Sequence, residues 1–119
     1  FLVIINAVNF IKGRSLISGA GSIMTHMAVG TGTNTVAAGD TTLQTEIDRN
    51  ALSVSGGAPS SNTVVYTGVW SASDGTGALT EAGLFSASSG GTMMARTVFS
   101  AVNKGSSDVL TITWTVTIS

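Results

Sequence analysis

Charge is what this sequence has least of. Asp, Glu, Lys and Arg make up 9% of its 119 residues, against about 25% in an ordinary soluble domain. A free monomer normally keeps a charged surface for solubility. A chain this short of charge is expected to turn much of its exterior toward partners. The alternative is a secreted, Ser/Thr-rich monomer whose surface is hydroxylated instead. The five basic residues, Lys12, Arg14, Arg49, Arg96 and Lys104, are scattered, and the net charge is -1. The basic cluster of a nucleic-acid binder is therefore missing. Cysteine is absent, which excludes a disulfide framework, a zinc-thiolate site and a thiol nucleophile. Long apolar runs are missing too. "FLVIINAVNFIKGR" is interrupted by Asn6, Asn9 and Lys12, short of the ~18 continuous apolar residues of a membrane span. It also lacks the basic start and small-residue cleavage pattern of a signal peptide. Neither nucleic acid nor a membrane is an expected partner.

What is present is β patterning. The chain is long enough for one domain, and its 43% hydrophobic content allows a core. In "DVLTITWTVTIS", Leu110, Ile112, Trp114, Val116 and Ile118 alternate with Thr111, Thr113, Thr115 and Thr117. Strict period two predicts a strand with one buried face, and a threonine row suits a pleated surface. "TVVYTGVWSAS", "TMMARTVFS", "ALTEAGLFSA" and "IMTHMAVG" read as further strands. "SGGAPSSN", "SDGTG" and "NKGSSD" between them are turn chemistry. Short strands at regular intervals indicate a sandwich or barrel. Ile4, Ala7, Val8 and Ile11 stand nearer a helical spacing, which predicts a short N-terminal helix ending near Gly19 or Gly21. "DTTLQTEI" predicts another helical turn or two, capped by Asp40 with Leu43 and Ile47 on its inner face. Leu52 and Val54 then start the next strand. The expected fold is mainly β: a single-domain antiparallel β-sandwich or barrel, jelly-roll-like, with a short N-terminal helix. Residues 1–22 form the helical or arm segment and 23–119 the β domain.

Each candidate site has a structural reading beside it. "VGTGTNT" offers Gly30 and Gly32 but no third glycine at dinucleotide spacing and no P-loop Lys-Ser/Thr pair. No helix pattern follows directly to aim backbone N–H groups at a phosphate. The expectation is a strand ending in a glycine turn, followed by an extended arm. His26 is the only histidine and has no local metal-ligand partner, so it reads as a strand residue. No serine sits in a nucleophile elbow. Asp40 reads as a cap, and Asp74 and Asp108 as turn residues. Glu46, Asp48 and Arg49 read as a solvated or interfacial patch. Glu81 lies inside a predicted strand, where an unpaired charge is costly. Arg96 in "MMARTVF" is the expected cross-strand partner, giving a structural ion pair rather than a catalytic carboxylate. Trp70 and Trp114 read as core anchors. No catalytic, cofactor or metal site is expected.

The order of segments resembles a small β-rich virion domain of tailed bacteriophages. The resemblance rests on Val29 to Thr33 ("VGTGT"), Asp40 to Glu46, Leu79 to Phe85 ("LTEAGLF"), Met94 to Phe99 ("MARTVF") and Leu110 to Trp114 ("LTITW"). It covers nearly the whole chain. It implies a virion component of the head-decoration, tail-fibre or collar type, and it supplies no catalytic residues. The sequence stops right after its closing strand, without a receptor-binding domain or stalk, which favours a small, high-copy head protein. The expected function is a capsid decoration, or cement, protein without enzymatic activity. It would lie on the outer head surface and bind the major capsid protein or other virion proteins as a homo-oligomer, for instance a trimer. Phe1, Leu2 and Ile4 in the apolar N-terminal segment, with Thr31, Asn34 and Val36 in the small-residue arm, are the candidate contact residues. A tail-fibre, collar or neck component is the alternative. A carbohydrate-binding module using Tyr66 and Trp70 is a further one, and a hydrolase dependent on Glu81 comes last.

Overall fold

The computed structural model describes residues 2–10, 24–37, 40–60 and 63–118, and every regular element among them is a strand. In chain order these are β1 (Leu2–Phe10), β2 (His26–Gly30), β3 (Glu46–Ala51), β4 (Ala58–Ser60), β5 (Thr63–Trp70), β6 (Gly77–Phe85), β7 (Met93–Lys104) and β8 (Leu110–Ile118). They form two four-stranded sheets, ordered β1-β8-β5-β4 and β3-β2-β6-β7. Called here the first and second sheet, they share one buried cluster. The first contributes Val64, Tyr66, Trp70, Leu110, Ile112, Trp114 and Val116, and the second Met27, Val29, Leu79, Ala82, Leu84 and Met94. One core fed by both sheets makes this a two-layer sandwich rather than a closed barrel.

Period-two patterning sets the register. Val64 lies opposite Val116, Tyr66 opposite Trp114 and Trp70 opposite Leu110, so the buried row of β5 meets the buried row of β8 directly. A slip of one residue would turn the buried row of the slipped strand to the outer face. Burial here is complete enough that Tyr66 Oη, Trp70 Nε1 and Trp114 Nε1 have no hydrogen-bond partner among the described residues. Desolvation pushes the Tyr66 phenol well above its usual range.

Three expectations are corrected. Residues 2–10 form a strand, not a helix, and β1 joins the β domain by pairing with β8 through Leu2–Thr111, Ile4–Thr113 and Asn6–Thr115. A short apolar run cannot be assigned by periodicity alone. β-Branched Val3, Ile4, Ile5 and Val8 are stiff in a helix and suit a pleat, and pairing to β8 decides. The rest of the expected helix, residues 11–22, lies outside the described residues. The β1–β8 pair is parallel, so the first sheet is mixed at that edge, while every other pairing in the two sheets is antiparallel as expected. Finally, "DTTLQTEI" is not helical. Residues 40–45 are irregular, Glu46 and Ile47 open β3, and Leu52 and Val54 lie in the turn after it. Leu43 is buried but Ile47 is 44% exposed, so their four-residue spacing does not mark one face.

One irregularity positions the site described next. Leu79 faces the main core, and strict alternation would turn Glu81 there as well. The β6–β7 register shifts between Leu79 and Glu81. Ala82 and Leu84 then point to the main core, which leaves Glu81 on the outer face with Phe85.

Candidate functional site

The outer face of the second sheet is covered by the chain's own segment between β2 and β3, whose described parts, residues 31–37 and 40–45, act as a strap. Leu43 from this strap packs with Ala28, Phe85 and Met93 in a second small core. Glu81 fixes the strap. Its Oε2 accepts the backbone N–H of Gly32 at 2.8 Å and of Thr45 at 2.8 Å. Its Oε1 accepts the N–H of Gln44 at 2.9 Å and Arg96 Nε at 2.9 Å. Both ends of the strap are therefore held by one carboxylate, and Thr31 N–H closes them further by donating to the Thr45 carbonyl at 3.0 Å.

The two glycines of "VGTGT" are explained by this arrangement. A Cβ on Gly30 would stand 2.6 Å from Glu81 Oε2 and would collide with the Thr45 carbonyl. A Cβ on Gly32 would meet the same carboxylate oxygen at 2.5 Å. The glycine-rich loop does cradle an anion, but that anion is the protein's own glutamate rather than a phosphate.

Arg96 completes the latch from β7. Its Cα partner on β6 is Gly83, and Glu81 lies diagonally along the same face. Its Nη1 donates to the Asn34 carbonyl and to Asp40 Oδ2, both at 3.2 Å. Asp40 Oδ2 also accepts the Ala37 N–H at 3.0 Å, so Asp40 fastens the strap rather than capping a helix. Gln44 Oε1 accepts the N–H groups of Thr33 and Asn34, each at 2.9 Å. The expected pair, Glu81 and Arg96, is thus brought together at 2.9 Å with both side chains buried. Asp40 and Gln44 were not anticipated as members, because their roles depend on where the irregular strap settles.

Electrostatics favour a charged Glu81. Burial alone raises its pKa, but the hydrogen bonds from Thr45, Gln44, Arg96 and Gly32 together outweigh burial, and the net effect lowers it. A carboxylate offers about four acceptor positions, and four donors occupy them. Glu81 is fully buried and has no lone pair left to take a proton from a substrate. A hydrolase built on it has no support in this geometry. Beside the latch lies a polar recess of about 260 Å³, lined by Asn34, Asp40, Thr41, Thr42, Gln44 and Arg96 among others. It is smaller than the 300–1,000 Å³ or so of typical ligand sites. Arg96 is its one cation, paired through Nε with Glu81 and through Nη1 with Asp40, while its buried Nη2 has no hydrogen-bond partner among the described residues.

The remaining candidates disperse. His26 Nδ1 lies 2.7 Å from Thr25 Oγ1 on β2, and no group of three metal-ligating side chains occurs among the described residues. Tyr66 and Trp70 are 1% and 0% exposed, so neither can stack on a sugar. Of the contact candidates, Leu2 and Ile4 lie on β1, while Phe1 is outside the described residues. Thr31 is half-buried and Asn34 exposed in the strap, and Val36 is 43% exposed at its tip. Arg49 is not part of a solvated patch. It donates to Glu46 at 2.7 and 3.0 Å and to the Ala87 and Gly90 carbonyls, and it stacks 3.7 Å from the Phe85 ring centroid. Lys104 is buried and donates to the Ser71 carbonyl at 2.9 Å.

No protein-family model, curated protein or solved structure matches the chain.

Proposed function

We propose that this chain is a structural subunit of a tailed-bacteriophage virion, a decoration or cement protein of the head, and that it performs no chemistry. The observation that carries this reading is where its few ionisable groups go. Glu81, Arg96 and Asp40 hold the strap, Arg49 ties β3 to the turn after β6, and Lys104 ties the end of β7 to Ser71. Side chains spent on fastening the backbone are not free for substrates. The resemblance to small virion domains rests on the same residues, "VGTGT" and "LTEAGLF" among them, which are the part of the chain that makes the latch.

Such a subunit works by mass action. Binding only to the assembled lattice stabilises that lattice over its free capsomers, and repetition over many copies multiplies weak contacts. Scarcity of charge suits the task, because each ion desolvated without a partner would cost affinity. Gel densitometry of purified particles tests the reading. A decoration protein is recovered on heads in proportion to the major capsid protein. Recovery of only a few copies per particle would point instead to the neck, collar or a tail fibre, and absence from particles would reject the virion assignment altogether.

A further inference from the structure

The strap is joined to the sandwich by few groups. The hydrogen bonds that hold it to the second sheet run through three side chains, Thr80, Glu81 and Arg96. Its one buried apolar side chain among the described residues, Leu43, sits in the small four-member cluster. No member of the main core lies between Gly30 and Glu46. The pairings of β6 with β2 and with β7 are made without the strap. Strap and sandwich are therefore separable units, and one carboxylate joins them.

We infer that the strap is an acid-released flap: a proton on Glu81 frees both of its ends together and uncovers Ala28, Phe85 and Met93, while the two-sheet core stays folded. Each Glu81 oxygen already accepts two donors, the Gly32 and Thr45 N–H groups on Oε2 and the Gln44 N–H and Arg96 Nε on Oε1. A proton placed on either oxygen meets donors only and displaces at least one strap N–H. Burial raises the Glu81 pKa, and its four hydrogen bonds lower it by more. Ionisation therefore stabilises closure above the open-state value of about 4.3. That stabilisation is lost as pH falls through the lower closed-state value. The other charged groups on this face are Arg96, Asp40 and, on β3, Glu46 and Arg49. His26 stands farther along β2, opposite Phe85. Protonating Asp40 loosens its contact with Arg96 and acts in the same direction. Arg49 is tied to the Ala87 and Gly90 carbonyls rather than to the strap. The core has no such trigger. Glu81 is the only acid among the buried residues described. With every carboxylate neutral, five Lys and Arg and one His remain charged, too few to drive the sandwich apart by self-repulsion. The inference rests on the latch alone and does not depend on the assembly reading above.

Hydrogen exchange of the full chain tests it, followed residue by residue and corrected at each pH for the rate of an unstructured peptide. Between about pH 6 and about pH 2.5, the Gly32, Gln44 and Thr45 amides should lose at least about tenfold in protection. The amides of β5 and β8 should keep theirs. Trp70 and Trp114 both lie in the main core, so tryptophan emission should stay that of buried indoles over the same range. Asp40→Asn should retain the acid response, because the Glu81 carboxylate is still there to titrate. Glu81→Gln should abolish it, leaving the strap amides equally exposed at both pH values. Should Glu81→Gln fail to fold, the wild-type and Asp40→Asn titrations decide by themselves. Strap amides as protected at about pH 2.5 as at about pH 6 would overturn the inference. So would strap and core losing protection in one transition, or an acid response that disappears in Asp40→Asn.

Discussion

The outer faces of the two sheets are finished by opposite means. On the first sheet, Thr67 lies opposite Thr113 and Val65 opposite Thr115, a half-exposed array of hydroxyls and β-branched side chains that no described segment covers. On the second sheet, the equivalent positions of β2 and β6 are buried, because the strap lies across them and carries Leu43 with it. A sheet face covered by irregular chain must satisfy that chain's backbone, since an unpaired buried N–H costs about as much as a lost hydrogen bond. Three such N–H groups converge on Glu81. The uncovered face needs no ion, whereas the covered face needs one buried carboxylate and the arginine that balances it.

The largest effect should come from removing that carboxylate. Glu81→Gln keeps the shape but leaves one oxygen for the donors that now share two, and it sets an amide N–H₂ against backbone N–H or against Arg96. Breaking one partner of a buried, hydrogen-bonded ion pair costs about 3–5 kcal/mol. The lower part of that range applies here, because Arg96 keeps Asp40 at 3.2 Å. Urea denaturation measures it. The same substitution alters acid stability in a defined direction. With its folded pKa lowered, wild-type Glu81 contributes stability that is fully present above the unfolded value of about 4.3. That contribution is lost as pH falls through the lower folded value. The wild-type advantage over Glu81→Gln should therefore be constant near neutrality and shrink below about pH 4. An advantage that grows on acidification would show that the carboxylate is not held charged.

Gly30→Ala comes next. The added methyl collides with backbone, the Thr45 carbonyl, as well as with Glu81. Forcing a strap end away from the sheet should cost about 3 kcal/mol, the upper part of the usual range for overpacking. A loss below about 1 kcal/mol in thermal or urea unfolding would mean that the strap end is not seated against β6 as described. Leu43→Ala tests the middle of the strap in the same assay. Leu43 is 5% exposed and its cluster has only four members, so the site can partly collapse and the cost should sit near 2 kcal/mol, the low end for such truncations.

The same contrast decides what could be read without coordinates. β8 and β5 were legible because a sheet with one free face writes period two directly into the chain. Glu81 and Arg96 were legible because two opposite charges stood inside strand patterns where neither could remain alone. The strap was not, since Leu43 and Ile47 imitate helical spacing, and the N–H groups that a helix would bond internally go to a carboxylate 37 residues away. The N-terminal strand was misread for a related reason. Ile4, Ala7 and Val8 fit a helical stripe, and only the parallel neighbour β8 settles the matter. Segments whose hydrogen bonds close at long range leave little local periodicity to read.

The smallest effect is predicted on the uncovered face, and it is the one that most sharpens the contrast. Thr113→Val exchanges a half-exposed hydroxyl for a methyl at the centre of β8, with Thr67 across from it. Val and Thr have nearly the same shape and both favour strands. With solvent available to the neighbouring hydroxyl, no polar group is orphaned, so the change should stay within about 0.5 kcal/mol. Urea midpoints for wild type and variant should coincide, and the acid dependence should not move, because no titrating group is involved. A loss above about 1 kcal/mol would mean that Thr113 donates to a covering segment, as Thr80 Oγ1 does to the Gly32 carbonyl on the second sheet. In that case the two faces would differ only in which part of the chain closes them.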